Sequence, residues 1–121
     1  MPRILIIDDE EQVRAVFREM LERSGYEVFE AANGKEGLRL QREKSADLII
    51  TDIVMPEKEG LETIRELLRG FPEVKIIAVS GGGRIGPDQY LDVAKKLGAA
   101  RTFNKPVDLK ELLQAVQSAF Q

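Results

Sequence analysis

Five short apolar runs alternate with five stretches of helical period along these 121 residues, and that alternation restricts the fold more than any other feature. The runs are Arg3 to Ile7, Glu27 to Ala31, Asp47 to Asp52, Val74 to Ser80 and Arg101 to Asn104. Runs of strand length separated by segments of helical period predict parallel strands joined by crossover helices. The intervening stripes fit: Val13, Val16, Phe17, Met20 and Leu21 in the first, Leu61, Ile64, Leu67 and Leu68 in the third, and Leu109, Leu112, Leu113, Val116 and Phe120 in the last. A weaker second helix reaches about Lys44, and a fourth carries Leu91, Ala94 and Leu97.

Local signals bound the helices. Gly25 and Gly98 suit helix ends, Asn33-Gly34 a turn and cap, Pro56 and Pro87-Asp88 helix starts, and Phe71-Pro72 a stop. Asp108 with Glu111 resembles a capping box. The expectation is one α/β domain over residues 1–121, a (βα)5 doubly wound parallel sheet. Right-handed crossovers then favour the flavodoxin-like strand order 2-1-3-4-5.

Ligands of such sheets bind at the carboxyl ends of the strands. Four of the runs end there in reactive side chains: Asp8-Asp9, Asp52, Ser80 and Lys105. Each has an ordinary reading alone, as an acidic first turn, a turn residue, a strand-end hydroxyl or loop punctuation. Four such coincidences at equivalent strand ends favour a shared site. Carboxylates at ~4 Å repel by about 4 kcal/mol per pair at an effective dielectric near ~20, so Asp8, Asp9 and Asp52 require compensation, which Lys105 and a divalent cation would supply.

Composition narrows the chemistry. With no cysteine and no histidine, thiolate sites, disulfides and imidazole chemistry are excluded on this chain. The remaining carboxylates, hydroxyls and amines suit magnesium and phosphoryl groups. A net charge of -3 without a basic stripe argues against direct nucleic-acid binding. The apolar runs are too short to span a bilayer and no secretory leader precedes them, so a cytoplasmic protein is expected. An ionised Asp52 beside magnesium can attack a phosphoryl group in line to form an aspartyl phosphate, with Lys105 and the Ser80 hydroxyl meeting the phosphoryl oxygens. Phosphorylation would then draw Ser80 and its glycine loop inward.

These residues together, Asp8-Asp9, Asp52 with Met55-Pro56 and Gly60, Ser80-Gly81 and Lys105-Pro106, resemble the receiver domains of two-component response regulators over essentially the whole chain. The resemblance implies that Asp52 takes phosphate from a histidine kinase, a histidine phosphotransfer protein or acetyl phosphate. It also implies that Asp9, Asp52 and the Val54 carbonyl hold magnesium, with Asp8 acting mainly through water, and that Ser80 and Lys105 contact the phosphoryl group. Residues 88–121, the fourth helix, fifth strand and last helix, correspond to the family's output face for a downstream protein partner, and a phosphorylation-dependent dimer is compatible with it. Such a chain is a signalling switch rather than an enzyme, with weak self-phosphorylation and autodephosphorylation only.

Several positions depart from the family pattern. Receivers often carry an aromatic residue three places before the lysine, where this chain has Thr102; Phe103, one place off, should by strand alternation face the core. Val54 and Gly82 occupy positions that tune phosphate hydrolysis in the family, and neither can orient a water. Gly81, Gly83 and Gly86 also satisfy G-x-G-x-x-G, which makes a small nucleotide- or flavin-binding protein the alternative reading. A metal-dependent phosphatase working through aspartate is a further one, disfavoured by the lack of any cap or obvious general acid.

Overall fold

The computed structural model describes residues 2–53, 59–80 and 94–121. Strands β1 (Arg3–Ile7), β2 (Glu27–Ala31), β3 (Leu48–Asp52), β4 (Lys75–Ser80) and β5 (Arg101–Asn104) form one parallel sheet in the order β2-β1-β3-β4-β5. Helices α1 (Glu11–Arg23), α2 (Gly34–Lys44), α3 (Glu59–Gly70) and α4 (Leu109–Ala119) cover it, and residues 94–97 are helical ahead of β5. The expected α/β fold class and strand order are therefore observed. Pro56, Pro87, Asp88 and Leu91, the residues expected to start or line two of the helices, lie outside the described residues.

Strand alternation divides the interior into two cores, one on each face of the sheet. Leu5, Ile7, Ile49, Ile76 and Ala78 pack with Ile64 and Leu67 of α3 on one face. Ile4, Ile6, Leu48, Ile50, Ile77 and Val79 pack with Phe17 and Leu21 of α1 and Leu112 and Val116 of α4 on the other. Both faces are covered, which is why the strands read as continuous Ile/Leu/Val runs rather than alternating ones. Each fully buried Ile or Leu contributes about 1.5–3 kcal/mol of transfer free energy.

Caps follow the local chemistry. The Asn33 side chain accepts from the Glu36 N–H, and the Asp108 side chain accepts from the N–H groups of Lys110 and Glu111. After α1, Gly25 adopts φ 93°, and Gly98 adopts φ 121° after the helical turn at 94–97. No glycine ends α2; Ser45 takes the left-handed conformation instead, and the buried Gln41 amide bridges Ala46, donating to its carbonyl and accepting from its N–H, both at 2.9 Å.

Two apolar stripe positions differ from expectation. Val16 is 48% exposed and Leu109 36%, although both were expected on inward stripes. Each lies at the margin of its stripe, where α1 and α4 do not close over one another, and Val16 and Leu109 line the shallow groove left between them.

Candidate functional site

The carboxyl ends of β1, β3, β4 and β5 bring Asp8, Asp52, Ser80 and Lys105 to one rim. Their backbones remain part of the sheet: the Asp8 N–H donates to the Ala31 carbonyl at 3.1 Å, Ile53 N–H to Val79 at 2.9 Å, and Lys105 N–H to Ser80 at 2.8 Å. The Lys105–Pro106 peptide bond is cis. Asp8, Asp52 and Ser80 are buried, whereas Asp9 and Glu10 beside them are exposed.

The Lys105 ammonium is the hub. Its Nζ donates to Asp8 Oδ2 at 2.9 Å and to Asp52 Oδ2 at 3.1 Å, and lies 3.8 Å from Glu10 Oε1. One cation thus partly neutralises two buried carboxylates, the compensation that their mutual repulsion demands. Burial pulls the Lys105 ammonium down, but Asp8 and Asp52 more than offset it and hold the group above its ordinary value. For Asp8 the balance is reversed: burial raises its carboxyl above the usual range, outweighing the Glu10 N–H at 2.8 Å and Lys105, which both lower it. The ion pair is therefore asymmetric, with a firmly charged lysine and an aspartate under desolvation strain.

Asp8, Asp9 and Glu10 each offer a carboxylate oxygen, and these three atoms lie within 4.8 Å of one another. An all-oxygen, anionic donor set with two exposed members fits a hard divalent cation that keeps several waters. Asp52 is not a member of that triplet. Glu10 was not singled out from the sequence; its signal was the acidic run Asp8 to Glu11, which also reads as an ordinary first helical turn. The Val54 carbonyl, Gly81 to Gly83 and the remainder of the glycine motif to Gly86 lie outside the described residues.

Ser80 is fully buried, and its Oγ has no hydrogen-bond partner among the described residues. An unsatisfied buried hydroxyl costs about 1–3 kcal/mol, so such a group invites an oxygen-rich ligand. In β5 the partner of Ser80 is Asn104; two residues earlier Thr102 pairs with Ala78 and is partly exposed, while Phe103 is buried in the core shared with α1 and α4. Alternation predicts that division, and the Arg101 guanidinium lies 5.2 Å over the Phe103 ring.

The model of the response regulator receiver domain matches residues 4–117. The chain belongs to this family. This receiver domain is 30% identical to sporulation initiation phosphotransferase F of Bacillus subtilis over 95% of the chain and 90% of that protein. It is 33% identical to the chemotaxis protein CheY of Thermotoga maritima over 94% of the chain and 93% of that protein. A crystal structure of a response regulator receiver domain protein from Clostridium thermocellum superposes with a TM-score of 0.88 at 34% identity, covering 98% of this receiver domain and 94% of that chain. The protein is thus a two-component receiver domain, a class of signalling switch. Among the described residues no helix is long and apolar enough to cross a membrane.

Proposed function

We propose that this receiver accepts a phosphoryl group on Asp52 from a histidine kinase or histidine phosphotransfer protein, in a magnesium-dependent reaction, and presents the modified state to a protein partner through residues 88–121. The observation that carries this reading is the single Lys105 ammonium shared by Asp8 and Asp52, with the Ser80 hydroxyl, unpartnered among the described residues, on the adjoining strand end. The names of its relatives, a sporulation phosphotransferase and a chemotaxis protein, support phosphotransfer signalling.

In the proposed reaction an Asp52 carboxylate oxygen attacks phosphorus in line with the leaving nitrogen. The new P–O bond forms as the donor's P–N bond breaks, and the electron pair returns to the imidazole ring. Lys105 offsets charge on the phosphoryl oxygens, and the Ser80 hydroxyl donates to another of them. The carboxylates of Asp8, Asp9 and Asp52, with the Val54 carbonyl, would hold magnesium, which when bound supplies charge neutralisation on the transferring group. Attack by water on the same phosphorus returns Asp52 and inorganic phosphate, so the chain would reset itself without acting on external substrates.

Radiolabelled acetyl phosphate tests the reading directly. Wild-type protein is expected to incorporate label with magnesium and not with chelator, and Asp52→Asn to incorporate none. Undiminished labelling of Asp52→Asn would place the chemistry elsewhere. Beryllofluoride then tests the switch, since amides from Lys105 to Gln121 should shift on its addition to wild type with magnesium; a static spectrum there would remove the output face.

A further inference from the structure

Arg14 of α1 reaches the start of the acidic segment Asp8 to Glu10. Its Nη1 donates to the carbonyl oxygen of Asp8 at 2.7 Å, while its Nε donates to Oε1 of Glu30 in β2 at 3.0 Å. Glu30 is gripped on its other oxygen by Arg18 Nη1 at 2.6 Å. Arg18 above all, with Arg14 adding to it, holds the Glu30 carboxyl below its ordinary range. With side chains only 15% and 25% exposed, Arg14 and Glu30 are partly shielded from the solvent screening that makes most surface pairs weak.

Asp8 is the residue at which β1 hands the chain to the acidic loop. Its N–H is pinned directly to β2, at the Ala31 carbonyl. Its carbonyl is pinned to the preceding residue of the same strand, Glu30, through Arg14. The two planar peptide units that flank the Asp8 Cα are therefore each tied to β2, the Ile7–Asp8 unit directly and the Asp8–Asp9 unit through Arg14, which together set the direction in which the Asp8 side chain leaves the backbone and the orientation of the backbone entering Asp9.

We infer that Arg14, anchored by Glu30, is a positioning residue for the divalent-cation site, setting the peptide plane from which Asp8 and Asp9 project. The inference rests on reading Asp8 and Asp9 as ligands of the proposed magnesium site. Groups that orient metal ligands are typically worth ~10–100-fold in affinity. Coulomb's law pulls the other way, because a guanidinium beside an acidic loop repels a dication. Positioning and charge thus predict opposite signs for the loss of Arg14.

Magnesium titration of the whole chain, followed by NMR at the Asp9 and Glu10 amides, separates the two. Arg14→Met and Arg14→Lys should each raise the magnesium Kd about tenfold. The lysine variant is decisive because it keeps the charge but not the planar fork that serves Asp8 and Glu30 together. Arg14→Lys binding with wild-type affinity, or Arg14→Met binding more tightly, would overturn the inference. A purely structural role would lower stability and leave the Kd of the folded protein unchanged, which overturns it equally. Should Arg14→Met not fold, Arg14→Lys decides alone. Wild-type protein that binds no magnesium would instead sink the underlying reading of the site.

Discussion

Gly37 of α2 and Ile7 of β1 are in such close approach that a Cβ on Gly37 would lie 2.4 Å from Ile7 Cδ1 and 2.8 Å from its Cγ1. Ile7 is fully buried and immediately precedes Asp8, so it has no free volume into which to retreat. Gly37→Ala would gain about 1 kcal/mol of helix propensity but incur about 1–3 kcal/mol of overpacking. The net expectation is destabilisation of about 1 kcal/mol, seen as a Tm lower by a few degrees. A variant as stable as wild type would show that α2 can slide away from β1.

Lys105→Met leaves two buried carboxylates facing each other. Breaking a buried pair from one side costs about 3–5 kcal/mol, and the lower end applies here because Lys105 keeps some exposure. Asp8, already pushed upward by burial, can take up a proton and so limit the loss. Urea denaturation should therefore show a deficit of about 3 kcal/mol at neutral pH that shrinks as pH falls toward 5. Added magnesium should stabilise this variant more than it stabilises wild type. A deficit independent of pH would rule out charge repulsion as its cause.

Asp8→Asn should stabilise the fold. Folded Asp8 holds its proton more tightly than the unfolded chain, whose ordinary value is 3.8, so the unfolded state binds fewer protons as pH rises above that point. The group's contribution to stability is therefore present below 3.8 and lost as pH rises through the folded value. The gain from Asp8→Asn is expected to be about 1 kcal/mol at pH 7, the scale common for relieved functional strain, and to vanish near pH 3. Paired denaturation curves across that range check the slope; a gain that grows toward low pH would contradict it.

Ser80→Ala removes a buried hydroxyl that has no partner among the described residues. The unphosphorylated protein should be unchanged or more stable by up to about 1 kcal/mol. Beryllofluoride, by contrast, should raise the Tm of the variant less than that of wild type. Equal thermal shifts in the two proteins would remove Ser80 from phosphoryl sensing.

Much of this molecule was legible in its residues. Ile, Leu and Val runs marked the strands because both sheet faces are covered, and Asn33 and Asp108 marked helix starts because their side chains accept from the backbone two or three positions on. The reactive strand ends were legible because strand order alone brings them to one edge. What escaped depends on distances between elements. Nothing in the period of α2 shows that Gly37 meets Ile7, and nothing in the spacing of Arg14 and Glu30 shows that a turn of chain folds them together. Val16 and Leu109 obey their stripes yet stay exposed, since periodicity marks the apolar side of a helix but not the width of its partner.

The ladder hydrogen bonds continue past the reactive residues, joining Lys105 to Ser80 and Ile53 to Val79. The groups proposed for phosphoryl transfer are consequently mounted on backbone that is still laced into the sheet, so that any motion accompanying the proposed reaction would have to begin in side chains rather than in the strand ends themselves.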